Sequence, residues 1–211
     1  MTNQQTLLYA LLAGIFSVST QLPPYPLSYL VKILPVILLL TIVLKHRKNS
    51  LNKRSLTLFS IALLWSATGD ILLDLNREAF FVFGLGSFLI GHLFFIASFS
   101  PLTFKKSPLL VIYPVTGLGL FALFIPALGQ LLIPVFIYML VLLAMACSTI
   151  LSRFSNWQLV TGGASFLISD SLIGFDKFYI EIPHQHLFVM LTYYLAQYFL
   201  VCGLLKGSKQ S

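Results

Sequence analysis

The chain has 211 residues, of which 58% are hydrophobic and 9% are charged. Soluble globular domains usually carry about 25% charged residues, so this composition excludes a soluble globular domain and indicates an integral membrane protein. The formal net charge is +7, but the basic residues do not gather with aromatic residues on one face, which argues against a nucleic-acid-binding protein.

Long apolar stretches recur eight times along the chain, separated by short polar or Pro/Gly segments. Each is long enough, or nearly so, to cross about 30 Å of hydrocarbon. Helices are expected, because a helix satisfies its own backbone hydrogen bonds in lipid and the alternating pattern of barrel strands is absent. We predict one all-α polytopic membrane domain over residues 1–211, a bundle of eight transmembrane helices. The predicted spans lie near residues 5–20, 27–45, 55–75, 80–100, 108–125, 131–151, 157–178 and 185–205.

Basic residues gather in alternate loops between the predicted spans. By the positive-inside rule these loops face the cytoplasm, which places both termini in the cytoplasm. The short loops favour a multi-pass protein of a bacterial inner membrane. Three basic residues fall on the other side, namely Lys32, Arg77 and Lys177. The basic residues of the cytoplasmic side are Lys45, Arg47, Lys48, Lys53, Arg54, Lys105, Lys106, Arg153, Lys206 and Lys209.

The acidic residues occupy the opposite, outer side of the membrane. An ionised Asp within a span costs roughly 2.5 to 3.5 kcal/mol, so each acid should be paired, protonated or directed into a polar cavity. Arg77 follows Asp74 by three residues and Lys177 adjoins Asp176, so ion pairing at solvated helix ends is the ordinary explanation for these acids. The six acidic residues of the chain are Asp70, Asp74, Glu78, Asp170, Asp176 and Glu181.

Asp70 and Asp170 differ from the other acids because no Lys or Arg lies three or four residues away. Each is expected roughly 6 to 12 Å inside the outer boundary, one to two helical turns deep. Asp74 follows Asp70 by four residues, a repulsive spacing if both were charged. We therefore predict that Asp70 has a raised pKa or shares a proton across the bundle, with Asp170 as the natural sharer.

Two buried carboxylates on separate helices have three possible roles. They suit the acid and base of an enzyme, because repulsion and desolvation favour one proton between them. They also suit a hydrogen-bonded clasp between helices, assisted by Ser66, Ser169 and Ser171. The third role is a proton or ion relay in a transporter.

Three further polar side chains fall at a compatible depth. His92 lies near the middle of the fourth span, where a lone His is more often a structural hydrogen-bonding residue than a ligand. Tyr193 and Gln197 share one face of the eighth span at the i, i+4 spacing, and a Gln so deep in a span needs a partner. The two cysteines, Cys147 and Cys202, have no Cys or His nearby at metal-ligand spacing. We expect neither a metal nor another cofactor.

Four motifs occur in order on the third, fourth, seventh and eighth spans: GDILL at 69–73, FGLGSFLIGHLFF at 83–95, ISDSLIGFDKF at 168–178 and YYLAQ at 193–197. In this order they resemble the YhhN-like family of integral membrane proteins, which includes the lysoplasmalogenases. The resemblance covers about half the chain. It implies a hydrolase that cleaves the vinyl ether bond of lysoplasmalogens, giving a fatty aldehyde and glycerophosphocholine or glycerophosphoethanolamine. By matching motif, the family's aspartates fall on Asp70 and Asp170.

This chemistry also suits the residues by themselves. A vinyl ether hydrolyses by protonation of its β-carbon, which creates an oxocarbenium-like cation that water then attacks. One protonated carboxyl and one carboxylate divide this work as they do in glycoside hydrolysis. We predict Asp70 and Asp170 as the catalytic pair, with the order between them open. The predicted substrate-binding or supporting residues are Tyr193, Gln197, His92, Asp74, Ser169 and Lys177.

The expected partners are a lysophospholipid, water and the bilayer. A pocket opening at the outer face would hold the lipid chain among Phe and Leu side chains, with the head group at the interface. Lys177 and Arg77 would meet its phosphate, or would act as plain interface anchors. The alternative function is a proton-coupled transporter or a lipid-binding membrane protein that uses the same carboxylates. The short chain and the lack of paired Gly/Pro interruptions flanking the acids, the signature of broken helices, argue against transport.

Overall fold

A computed structural model describes residues 1–23 and 25–210 of the chain, and the described part is all-α, as predicted. The helices are α1 (Asn3–Ser19), α2 (Ser28–Lys48), α3 (Lys53–Leu75), α4 (Phe81–Ser98), α5 (Leu109–Leu128), α6 (Leu132–Leu151), α7 (Trp157–Phe178) and α8 (Gln185–Gln210).

Polar residues mark where two of these helices begin. Thr2 and Gln5 form a capping box at the start of α1, each side chain binding the other's backbone N–H. Asn156 caps α7 by accepting from the backbone N–H groups of Gln158 (3.1 Å) and Leu159 (3.2 Å). Its amide also donates to the carbonyl of Gly203 on α8 (2.8 Å), which ties the start of α7 to that helix.

The chain reverses direction between α5 and α6. A 3-10 helix, Gly129–Leu131, joins the two helices without a break in helical structure. Gly129 adopts φ = +49°, a backbone angle that favours glycine. The rings of Phe121 and Phe136, 15 residues apart in sequence, have their centroids only 5.0 Å apart. The two helices therefore form a hairpin.

The prediction of eight membrane spans is wrong in number. Among the described residues, five helical stretches are long and apolar enough to cross a membrane. Three features of the chain account for the difference. Helix α1 has only 17 residues, which is short for a membrane span. Gln158, Asp170 and the serines and glycines of α7 lower the mean hydropathy of that helix. Helices α5 and α6 form one continuous helical stretch, Leu109–Leu151. The five stretches are Ser28–Lys48, Lys53–Leu75, Phe81–Ser98, Leu109–Leu151 and Gln185–Lys209.

Apolar side chains cover the outside of the bundle, and polar side chains are concentrated within it. Val111 and Ile133, for example, are 65% and 69% exposed, whereas Asp70 and Gln197 are 2% and 0% exposed. Such a surface would be unfavourable in water and suits contact with lipid tails. The protein is thus a multi-pass integral membrane protein.

Helix packing brings the ends of six helices around one space. α3 packs between α2 and α4, α6 contacts α4 and α7, and α8 contacts α1, α2 and α7. Gly203 on α8 allows α7 and α8 to approach closely, because a Cβ at this position would lie only 2.5 Å from the backbone nitrogen of Leu159. Below that space, toward the basic ends of the helices, Phe59, Phe95 and Phe166 fill the core.

Candidate active site

A cavity of about 140 Å³ lies where α3 and α7 end, enclosed by α2, α3, α4, α6, α7 and α8. Both predicted catalytic aspartates line it, although they are 100 positions apart in the chain. Aromatic and aliphatic side chains, among them Phe81, Phe88 and Ile173, form the rest of its wall. Its polar lining residues are Lys32, Asp70, Asp74, Arg77, Tyr138, Ser169, Asp170, His186 and Tyr193.

Asp70 on α3 is held by one tyrosine and one lysine from other helices. The Tyr193 hydroxyl on α8 donates to its carboxylate at 2.7 Å. The Lys32 ammonium on α2 lies 3.6 Å from Asp70 Oδ1 and donates to the Asp70 backbone carbonyl at 3.2 Å. The two side chains are 10% and 3% exposed, so this is a buried ion pair in which each charge compensates the other.

Lys32 is itself fixed by bonds that link three helices. The Tyr194 hydroxyl on α8 donates to the backbone carbonyl of Lys32 at 2.7 Å. The Tyr9 hydroxyl on α1 donates to the backbone carbonyl of Tyr194, also at 2.7 Å. All three side chains are buried, so water cannot easily replace these bonds. The lysine is thereby held next to Asp70.

Asp170 on α7 has a different environment. The Tyr138 hydroxyl on α6 donates to Asp170 Oδ2. Within the described part of the chain, Asp170 makes no ion pair, and the ion pairs found there both involve Lys32. Asp170 is half-buried and lines the cavity. It therefore meets the cavity with one hydroxyl partner and no compensating cation.

No hydrogen bond joins Asp70 to Asp170 in the described residues, so the predicted proton shared directly between them is not found. Each carboxylate instead accepts from a tyrosine on a neighbouring helix. A tyrosine hydroxyl satisfies a buried carboxylate without requiring a second acid nearby. The two acids share a cavity and keep separate partners.

The mouth of the cavity contains a second polar group of side chains, and here the predicted pair of Asp74 with Arg77 is wrong. Asp74 accepts from the Ser28 hydroxyl and lies 4.0 Å from the Lys32 ammonium. Arg77 donates to Gln185 Oε1 at 3.2 Å and to Nε2 of His186. The partners of Asp74 lie on α2 and those of Arg77 lie on α8, so the spacing of residues along α3 could not reveal them.

Arg77 keeps its charge in this position. Burial lowers the pKa of its guanidinium from the ordinary value, and the nearby Asp176 carboxylate raises it. Because that ordinary value lies far above neutral pH, the group remains a cation. A permanent positive charge therefore lines the cavity beside its polar mouth.

The other predicted site residues divide into those that reach the cavity and those that do not. Ser169 lines it, although its hydroxyl donates to a backbone carbonyl of α8 (3.2 Å). Lys177 does not line it, and its ammonium lies 4.4 Å from the ring centroid of Phe81. His92 and Gln197 are buried deeper, and their side-chain nitrogens and oxygens have no hydrogen-bond partner among the described residues.

Sequence reasoning missed two residues that now stand beside the aspartates, Lys32 and Tyr138. Lys32 carried a usable signal, because it is a basic residue inside an apolar span on the side where basic residues are scarce. Tyr138 carried none, since tyrosines are common near membrane interfaces.

The groups around the cavity are suited to acid and base chemistry. Carboxyl, phenol and imidazole groups can donate and accept protons, and the ammonium and guanidinium groups supply positive charge. The described residues contain no group of three or more His, Cys, Asp or Glu side chains that could hold a metal ion.

Comparison with known proteins gives a consistent result. The model of the YhhN family matches residues 27–204. The chain is 36% identical over 155 residues to a lysoplasmalogenase of Mycobacterium bovis, covering 69% of this chain and 59% of the relative. It is 31% identical over 186 residues to the human lysoplasmalogenase TMEM86A, covering 82% of this chain and 76% of the relative. It is also 32% identical over 148 residues to the mouse lysoplasmalogenase TMEM86B, covering 69% and 62% of the two chains. No solved structure matches.

Proposed function

Because the chain belongs to the YhhN family, we propose that it is an ether-bond hydrolase that acts on lysoplasmalogens. The relatives that cover most of the chain are named lysoplasmalogenases. The observation that carries the proposal is that Asp70 and Asp170 line one cavity inside an apolar bundle, each with its own tyrosine. The products would be a fatty aldehyde and glycerophosphocholine or glycerophosphoethanolamine.

The proposed reaction consumes one water and needs one acid and one base. A proton adds to the β-carbon of the vinyl ether, and the positive charge forms on the α-carbon and the ether oxygen. Water attacks the α-carbon and loses a proton, which gives a hemiacetal. The hemiacetal hydroxyl then loses its proton to the base as the bond to the glycerol oxygen breaks, and that oxygen takes a proton from the acid and leaves as the alcohol, so that the aldehyde remains.

We assign the acid to Asp170 and the carboxylate to Asp70. The ammonium of Lys32, 3.6 Å from Asp70, compensates a negative charge there. Asp170 makes no ion pair in the described residues, so its proton would not be displaced by a neighbouring cation. Tyr138 binds Oδ2 of Asp170, and the other oxygen would carry the proton to the substrate. Asp70 would stabilise the cation and accept the proton of the attacking water.

The head group would lie at the polar mouth of the cavity. Arg77 and His186 line the cavity there, and a guanidinium can bind phosphate oxygens through two parallel hydrogen bonds. Lys177, which lies over the ring of Phe81, would act as an interface anchor instead. The phosphate would thus be held on the side of Asp70 and Asp74.

The orientation in the membrane is also part of the proposal. Most of the basic residues lie at the helix ends opposite the cavity, and the positive-inside rule directs such ends to the cytoplasm. Both chain termini would then be cytoplasmic, and the cavity would open toward the outer face. The short loops favour a bacterial inner membrane.

The test supplies purified protein in detergent with a 1-alkenyl lysophospholipid and measures aldehyde release. We expect turnover by the wild type and loss of turnover by Asp70→Asn and by Asp170→Asn. Asn has nearly the same size and can still accept from tyrosine, so Asp170→Asn should keep the fold. Asp70→Asn also leaves the buried Lys32 ammonium without its partner and should lower stability as well. Glu78→Gln is the matched control, because it removes one acidic charge from an exposed residue that does not line the cavity.

Three outcomes can be distinguished. Wild-type protein that releases no aldehyde from any alkenyl lysophospholipid would overturn the proposed reaction. Turnover that persists in both Asn variants would remove the aspartates from the mechanism. Loss of turnover together with loss of thermal stability in Asp170→Asn would favour the hydrogen-bonded clasp between helices, so melting temperature is measured on every variant.

A further inference from the structure

A second cavity, of about 80 Å³, lies between α5, α6 and α7. Four residues line both this cavity and the one that contains the aspartates: Val135, Tyr138, Asp170 and Gly174. The two cavities therefore adjoin at Asp170, and the Tyr138–Asp170 pair stands at the junction.

The walls of the second cavity are apolar. Its polar side chains are Tyr138, Asp170 and Ser171. Tyr138 donates to Asp170 Oδ2, and the Ser171 hydroxyl donates to the backbone carbonyl of Leu167 at 2.7 Å, so both hydroxyl protons are already engaged and Asp170 meets the cavity at the junction. The remaining wall offers only hydrocarbon contacts. Its residues include Gly117, Leu120, Phe121, Phe124, Met139, Leu142, Leu143 and Leu167.

Helix α5 separates this cavity from the lipid. It packs on α6 and α7 and contacts no other α-helix in the described structure. Its opposite face is exposed, with Val111 and Val115 at 65% and 64%. From Gly117 to Phe124 the cavity follows α5 for about 10 Å at 1.5 Å per residue. An elongated apolar space at the membrane-facing side suits a hydrocarbon chain.

We propose that this second cavity binds the unbranched alkenyl chain of the substrate, which makes it the site that determines chain-length preference. The inference rests on the proposed function. The head group would lie at Arg77, the vinyl ether would lie at the junction beside Asp170, and the chain would extend between α5 and α6. After cleavage the aldehyde keeps its chain in this cavity, next to the lipid, and the alcohol leaves through the polar mouth.

The first test compares kcat/KM for lysophospholipids that carry a butenyl or a hexadecenyl chain. Each methylene buried should raise kcat/KM about fourfold until the cavity is full. Leu120→Trp on α5 and Met139→Trp on α6 each place a large ring in this cavity and leave the first cavity unchanged, because neither residue lines it. Each should lower kcat/KM for the hexadecenyl substrate by about 60-fold, equivalent to three methylenes. The butenyl substrate, whose chain ends near the junction, should be turned over nearly as in the wild type.

The matched controls carry the same substitution on the lipid side of the same helices. Leu118→Trp and Leu140→Trp replace residues that are 48% and 45% exposed. They should leave the chain-length profile of the wild type unchanged. An equal loss of kcat/KM for both chain lengths in the cavity variants would overturn the assignment of this cavity to the alkenyl chain. The same change of the chain-length profile in the control variants would also overturn it.

A second measurement does not depend on turnover. A 1-O-alkyl lysophospholipid with a diazirine at the end of its chain cannot be hydrolysed at a vinyl ether and labels the protein where the chain ends. Labelling within residues 117–143 is expected, and labelling confined to α4 would overturn the proposal. If the wild type labels there and releases no aldehyde, the proposed reaction fails and the chain site stands. If the wild type releases aldehyde and Leu120→Trp and Met139→Trp keep its dependence of kcat/KM on chain length, the proposed chain site fails and the proposed reaction stands.

Discussion

The two aspartate regions of the cavity are alike in composition and different in electrostatics. Each has an Asp that accepts from a tyrosine on a neighbouring helix. Asp70 also has the Lys32 ammonium at 3.6 Å and is 2% exposed. Asp170 has no ion pair in the described residues and borders an apolar cavity. The difference shows that a residue on another helix, Lys32 on α2, decides which acid has a compensated charge, and that the local motif does not.

The largest effect should come from removing that compensation with Lys32→Met. Breaking a buried ion pair by deleting one partner costs about 3 to 5 kcal/mol, because an uncompensated charge remains inside the bundle. We expect lower stability in detergent and loss of turnover. The double variant Lys32→Met/Asp70→Asn should recover much of the stability and none of the activity. Equal stability of the single and double variants would show that the pair contributes little.

The next largest effect should come from removing the tyrosine hydroxyl that binds each aspartate. A hydrogen bond to a charged group contributes about 1.5 to 3 kcal/mol and a neutral one about 0.5 to 1.5 kcal/mol. If Asp170 is the acid, it gains negative charge as it gives up its proton, so the bond from Tyr138 strengthens in the transition state, whereas Asp70 is charged throughout. Tyr138→Phe should then lower kcat about 30-fold and Tyr193→Phe about fivefold. The reverse order in steady-state kinetics would exchange the two roles.

A smaller effect is expected at the mouth of the cavity. Arg77→Gln removes the guanidinium that we place on the phosphate, and should raise KM roughly tenfold with kcat nearly unchanged, since this contact is the same in the ground and transition states. Lys177→Gln serves as the control, because Lys177 does not line the cavity. An equal rise in KM for both would indicate a general surface effect.

The smallest effect should come from the buried side chains behind the tyrosines. His92→Leu removes two ring nitrogens that have no partner in the described structure. An unsatisfied buried polar group costs about 1 to 3 kcal/mol, so stability should rise slightly and kcat should change little. A large fall in kcat without loss of stability would show that His92 takes part in proton transfer through Tyr138, whose ring centroid lies 5.6 Å away.

Local patterns in the sequence predicted some features well and others poorly. Apolar runs predicted an all-α membrane bundle, because backbone groups in lipid must be satisfied within the segment. The motifs around Asp70, Asp170 and Tyr193 indicated residues that line one cavity. The number of spans was wrong, because α1 is short, the polar residues of α7 lower its hydropathy, and α5 continues into α6 as one helical stretch. Contacts between distant residues were missed for a different reason.

Lys32 and Asp70 are 38 positions apart, Tyr138 and Asp170 are 32 apart, and Tyr193 and Asp70 are 123 apart. The sequence by itself determined that the chain lies in a membrane and carries two carboxyls without local partners. Only the tertiary structure decided which of them meets a cation and which meets an apolar cavity. The physical reason is that in a low-dielectric interior charge compensation acts over a few ångströms of space, and helix packing alone sets those distances.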